Sequence, residues 1–130
     1  MTTLIDYSIP MVFENIEFDP NQSTIKENMK PILDDVALFL IDHPTFRLEI
    51  SGHTDGAGDK EFNLVLSRDR AEAIRQYIER RVNMAQGRID AYGYGSSKPI
   101  KEEKTAEDRK INRRVEFRLI KPEKSERGFR

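Results

Sequence analysis

Phe46-Arg47-Leu48-Glu49-Ile50-Ser51 runs directly into Gly52-His53-Thr54-Asp55-Gly56-Ala57-Gly58, and the fold is decided by what this stretch becomes. Phe46, Leu48 and Ile50 alternate with Arg47, Glu49 and Ser51, the period of a strand that buries one face and wets the other. The glycines at 52, 56 and 58 then permit tight turns and the close approach of a ligand. Beyond the loop, Ala71, Ile74, Ile78 and Val82 recur at spacings of three and four, the stripe of a long helix whose expected cap is Ser67.

Upstream, Val12 to Phe18 is rich in β-branched and aromatic residues, places Val12, Ile16 and Phe18 on one side, and reads as a strand. Asp19-Pro20-Asn21 turns the chain into a helical pattern of Ile25, Met29, Ile32, Leu33, Val36 and Leu40. Thr24 and Glu27 resemble a capping box. Pro31 conflicts with so early a start, whereas Asn28 as cap places it in the first turn. His43-Pro44 ends this helix. Downstream, Gly87 punctuates, Arg88 to Gly95 reads as a third strand, Thr105-Ala106-Glu107-Asp108 caps a short helix, and Arg114 to Ile120 alternates as a fourth strand. The order β-α-β-α-β-β, with a short helix before the last strand, predicts an α/β (α+β) two-layer sandwich with helices on one face of a mixed sheet. Its two strand-helix-strand crossovers predict parallel neighbours, and the last strand is expected to return antiparallel. Residues 1–10 read as a lead-in, 11–120 as one domain, and 121–130 as a flexible polar tail.

Composition excludes several functions. Of 130 residues, 22 are Lys or Arg and 23 Asp or Glu, a net charge of −1 without the basic excess of a nucleic-acid-binding domain. Cysteine is absent, which removes disulfides, thiolate metal sites and a cysteine nucleophile together. No run approaches the roughly 18 apolar residues of a membrane-spanning helix. Met1 to Pro10 has neither a basic nor an apolar signal region, so either the protein stays inside or the sequence is a domain of a longer exported chain. There is no G-x-S-x-G, P-loop, H-E-x-x-H, or G-x-G-x-x-G opening a helix. His53-x-Asp55 lacks a third and fourth metal ligand, and His53 reads as a structural hydrogen-bonder. The expectation is a binding module, not an enzyme, with neither metal nor cofactor.

The densest polar constellation comprises His53, Thr54, Asp55, Asn63, Ser67 and Arg70. With Ser67 as cap, Arg68 and Arg70 fall in a first helical turn and oppose its dipole. Either Asp69 and nearby carboxylates neutralise them on the surface, or free N–H groups and Arg70 form a corner for a ligand carboxylate. Asp55 is either an Asx-turn residue or a fixed anion facing a ligand cation. Held together, Asp55 and Arg70 would read a zwitterion. A second charged knot, Asn112-Arg113-Arg114-Val115-Glu116, either leaves Arg114, Glu116 and Arg118 as a solvated ladder or supplies one arginine to brace the binding loop.

These segments resemble the OmpA-like (OmpA C-terminal, MotB/Pal-type) peptidoglycan-binding domain. The resemblance spans about Ile16 to Leu119. It is carried by Phe18-Asp19, Ile50-Ser51-Gly52-His53-Thr54-Asp55-Gly56-x-Gly58, Asn63-x-x-Leu66-Ser67-x-x-Arg70-Ala71, Arg88-Ile89-x-Ala91-x-Gly93-Tyr94-Gly95, and Arg109-x-x-Asn112-Arg113-Arg114-Val115-Glu116. It implies non-covalent binding of peptidoglycan through the diaminopimelate of the stem peptide, with Asp55 on the ammonium and Arg70 on the carboxylate. Phe18, Asp19, Asn63, Leu66 and Ser67 then line or support the pocket. It further implies a periplasmic location, with the anchor to the outer membrane supplied by a parent protein. The alternative is a protein–protein module of a periplasmic stator or secretion assembly. Where the family often has Gly before its final Arg, this chain has Glu107-Asp108-Arg109.

Overall fold

The computed structural model describes residues 11–13, 18–19, 21–82 and 87–121. The lead-in 1–10, residues 14–17 of the expected first strand, and 122–130 of the tail lie outside the described residues. The elements are β1 (Met11–Phe13), a 3-10 turn (Glu27–Met29), α1 (Lys30–Asp42), β2 (Arg47–His53), α2 (Lys60–Val82), β3 (Ile89–Gly95), α3 (Ala106–Asn112) and β4 (Arg114–Ile120). The expected α+β class and mixed sheet are present.

Strand order is β1-β4-β2-β3. β2 and β3 are parallel neighbours with Ser51 opposite Tyr92, and β4 runs antiparallel to β2 with Ser51 opposite Glu116. Only one of the two crossovers therefore joins adjacent strands. β4 inserts between β1 and β2, and its antiparallel pairing with β1 sets Phe13 opposite Val115. Sequence order could not reveal this, because the last strand to be made takes the central position.

Leu33, Val36, Ala37 and Leu40 of α1 and Ala71, Ile74 and Ile78 of α2 close over Leu48 and Ile50 of β2 and Val115, Phe117 and Leu119 of β4. These alternate strand residues form one dry face, as the period of two required. Phe18 packs against this cluster from outside β1 and is not part of the strand. Helix α1 begins later than Thr24 or Asn28 would place it. Met29 is its N-cap with no side-chain cap bond, and Pro31 lies at the start of the helix, where it costs no hydrogen bond.

Helix α2 begins at Lys60, two turns before Ser67. Asp59 performs the capping expected of Ser67, its Oδ2 accepting from the Phe62 N–H at 2.7 Å. Apolar periodicity could not show those turns because they are inverted: Asn63 and Ser67 are buried, whereas Phe62, Leu64 and Val65 are 48%, 47% and 46% exposed. Two glycines let these turns lie directly on the sheet. A Cβ on Gly52 would stand 2.5 Å from the Ser67 carbonyl oxygen, and one on Gly93 would stand 2.2 Å from the Arg68 amide nitrogen. Gly52 thus makes room for a helix, not for a ligand.

Candidate functional site

The site is built where β2 ends. Thr54 ties the strand exit to β3, donating its N–H to the Gly95 carbonyl at 2.8 Å. Asp55 follows, and its carboxylate serves two purposes. Oδ1 accepts from the Ala57 N–H at 2.9 Å, an Asx turn, while Oδ2 accepts from Arg113 Nη1 at 2.5 Å. The Asp55 side chain is 13% exposed, so this charge-assisted pair is partly withdrawn from water. Arg113, where α3 gives way to β4, is therefore the arginine that braces the loop. Arg114 is buried and not part of a solvated ladder, because it bonds the Glu116 carboxylate at 2.7 Å and the Lys98 carbonyl at 2.9 Å.

A second brace comes from the Ser96–Lys104 loop. Both Glu103 carboxylate oxygens accept from the Gly56 N–H, at 3.1 and 3.0 Å. Glu103 is itself held by Asn112 Nδ2 at 2.8 Å. Asn112, fully buried, also accepts from the Ile100 and Lys101 N–H groups at 2.8 and 2.9 Å and donates to the Lys101 carbonyl at 2.9 Å. Every polar atom of its amide is used for fixing this loop. Glu103 was not legible as a site residue, since Gly56 lies 47 positions away and no spacing rule joins them. The Glu107-Asp108 departure is a sound helix start: Thr105 and Asp108 form a reciprocal capping box.

Helix α2 supplies the other wall. Asn63 Nδ2 donates to the Ala57 carbonyl at 2.8 Å, locking the loop to the helix. Ser67 Oγ donates to the Leu64 carbonyl and accepts from the Gly95 N–H, each at 2.9 Å, so it joins helix to strand from a mid-helix position. Arg70 lies in the third turn, away from the helix terminus, which removes any corner of free N–H groups beside it. Its Nε and Nη2 donate to the carbonyls of Gln22 and Asp19 at 2.8 and 3.2 Å, and its guanidinium lies 4.8 Å over the Phe18 ring. Burial lowers its pKa, and among the described residues no carboxylate pairs with it. The Asp19 carboxylate turns instead to Lys26 at 3.4 Å.

Phe18, Asp19 and Arg70 are thus brought together, as are Asp55 with Asn63 through the loop, and Ser67 with the end of β3. No hydrogen bond or ion pair joins Asp55 to Arg70. Leu66, partly buried on α2, contributes no polar group. His53 is not the structural hydrogen-bonder expected, since neither ring nitrogen has a partner among the described residues. Among the described residues no cluster of three His, Asp or Glu side chains is arranged to hold a metal ion, and no helix is long and apolar enough to cross a membrane.

The fold is thus an α+β sandwich whose α2 carries an arginine with no carboxylate partner among the described residues, and the chain belongs to the OmpA family, whose model matches residues 17–113. It is 38% identical over 102 residues to outer membrane porin F of Pseudomonas aeruginosa, covering 78% of this chain and 29% of the porin. To the peptidoglycan-associated lipoprotein of Buchnera aphidicola it is 33% identical over 85 residues, 65% of this chain and 49% of the lipoprotein. The chain thus spans less than a third of the porin and about half of the lipoprotein. Among solved structures, the peptidoglycan-associated lipoprotein of Burkholderia pseudomallei superposes with a TM-score of 0.71 at 27% identity, covering 80% of this chain and 87% of that one. The periplasmic domain of Helicobacter pylori MotB shares the fold, with a TM-score of 0.70 at 20% identity over 82% and 71% of the two chains.

Proposed function

We propose that this domain binds peptidoglycan non-covalently through the diaminopimelate of the stem peptide and so anchors a periplasmic or outer-membrane protein to the wall. The observation that carries the reading is two charges of opposite sign on the loop and helix that Asn63 ties together, Asp55 braced by Arg113 and Arg70 without a carboxylate partner among the described residues. Asp55 keeps lone pairs beyond those taken by Ala57 and Arg113, and Arg70 keeps Nη1 beyond its two carbonyl contacts. A group bearing an ammonium and a carboxylate complements both. A lysine-type stem lacks that second carboxylate and leaves Arg70 unpaired. The names of the lipoprotein relatives support peptidoglycan as the ligand, and those of the porin and MotB support an outer-membrane or periplasmic setting. The module binds and does not catalyse.

Co-sedimentation with purified sacculi tests this. Diaminopimelate-type sacculi should deplete the domain from solution and lysine-type sacculi should not. Equal depletion by both would refute the head-group reading, and release of soluble fragments would make the protein a hydrolase. A second reading, a protein–protein module of a periplasmic assembly, rests on the exposed Phe62, Leu64 and Val65 at the start of α2. It gains if the domain sediments with neither wall.

A further inference from the structure

Two arginines stand side by side where α3 gives way to β4, and the fold uses only one of them. The Arg114 side chain is 4% exposed and is consumed by the Glu116 carboxylate at 2.7 Å and by the carbonyls of Asn112 and Lys98 at 3.2 and 2.9 Å. The Arg113 side chain is 51% exposed, and among the described residues its one bond is to Asp55 Oδ2 at 2.5 Å. Its backbone N–H closes α3 on the Arg109 carbonyl, a contact that any residue but proline would make. The guanidinium therefore serves Asp55 alone.

Asp55 does not depend on that guanidinium for its place. Thr54 donates its hydroxyl to the Asp55 carbonyl at 2.8 Å and its N–H to the Gly95 carbonyl at 2.8 Å. Asp55 Oδ1 keeps the Ala57 N–H, Asn63 keeps the Ala57 carbonyl, and Glu103 keeps the Gly56 N–H. Residues 54–57 are thus fastened without Arg113, and what Arg113 adds is chiefly charge. The two ends of the site are unequal: Asp55 carries its own counter-ion, whereas Arg70 rests on two carbonyls and has no carboxylate partner among the described residues.

An ammonium that reaches Asp55 shares the carboxylate with a guanidinium, the two cations standing about 5 Å apart. At that separation, partly in water, their repulsion weakens the ammonium about tenfold. A ligand that offers an ammonium alone has nothing to set against this loss. One that also presents a carboxylate recovers it at Arg70. We propose that Arg113 is a specificity-determining residue, a built-in counter-ion that raises the threshold for lone cations such as a lysine side chain or an aliphatic diamine. Both kinds of ligand are weakened alike, and only the one that engages Arg70 stays bound. The part given to Arg70 rests on the wall-binding reading above, whereas the effect of Arg113 on a cation at Asp55 does not.

The test compares the 130-residue chain with its Arg113→Gln variant, in which an amide donor remains and the charge is gone. Calorimetry with the diaminopimelate stem peptide should show the variant binding about tenfold more tightly at low salt, with the gain shrinking at high salt as screening requires. The lysine-containing analogue should come into measurable range with the variant. In nuclear magnetic resonance titration, cadaverine should shift the Asp55, Gly56 and Ala57 amides of the variant at about tenfold lower concentration than in the wild type. The urea midpoint should not move, because the exposed side chain holds nothing else in the fold. Cadaverine binding equal in the two proteins, or weaker in the variant, would overturn the proposal, as would a gain in affinity that salt does not diminish. If neither protein binds either peptide while cadaverine still favours the variant, the counter-ion stands and the diaminopimelate reading falls. If the wild type binds the diaminopimelate peptide and the variant binds nothing more tightly, the reading stands and the counter-ion falls.

Discussion

Replacing His53 by Phe should remove an acid-sensitive share of this domain's stability. Phe keeps the ring that stacks on Tyr94 and is uncharged at every pH. In the folded protein the His53 pKa is lowered from 6.5 to about 4, chiefly by burial. Between those values the unfolded chain takes up a proton that the folded one refuses, so the wild type loses stability as pH falls through this window and loses none of this share above it. At about 1.36 kcal/mol per unit, the full gap sets an upper limit of roughly 3 kcal/mol, and relaxation of the site on protonation reduces the expected figure to about 2 kcal/mol. Urea unfolding of both proteins, from neutral pH down to about 4, measures the difference. The wild type should fall toward or below the variant as pH drops. At neutral pH His53→Phe should cost little, because neither nitrogen has a hydrogen bond to lose. Glu72 and Asp108, held low by Arg75 and by the Lys104 N–H respectively, weaken both proteins equally at still lower pH. Parallel curves for the two proteins would refute the reasoning.

Three further substitutions have defined outcomes. Gly93→Ala drives a methyl group into the backbone of α2 at Arg68 and should cost about 3 kcal/mol or more, read as a lower urea midpoint. Asn112→Ala strands the N–H groups of Ile100 and Lys101 and frees Glu103 from its amide partner. It should cost about 2 kcal/mol in denaturant unfolding, and it should weaken stem-peptide binding by loosening the clamp on Gly56. Thr105→Ala removes one half of the α3 capping box and should cost about 1 kcal/mol, visible as a small fall in Tm with binding retained.

Strands β2 and β4 and the capped α3 were legible because each follows a local rule: alternation along a strand, or Thr and Asp three positions apart. The start of α2 was not. Its first inward residues are Asn63 and Ser67, chosen to bond Ala57 and Gly95, so a search for apolar periodicity begins two turns late. Gly52 looked like loop chemistry and is in fact, with Gly93 of the third strand, a contact point between helix and sheet. Sheet order was hidden for a different reason, since placing β4 between β1 and β2 depends on long-range pairing alone. In the site, Asp55 and Arg70 could be named as charges worth pairing, and Arg113 as one of two candidate braces. What no spacing could supply was Glu103, or the three backbone groups gathered by Asn112.

The central claim is that Asp55 and Arg70 read the two ends of one zwitterion, and calorimetric titration tests it most directly. The domain is titrated with a diaminopimelate-containing stem peptide and with its lysine-containing analogue, alongside Asp55→Ala and Arg70→Ala variants whose folding is verified by circular dichroism. The account predicts saturable binding of the first peptide alone, lost in both folded variants. Equal heat from both peptides, heat from neither, or undiminished binding in either variant would contradict it.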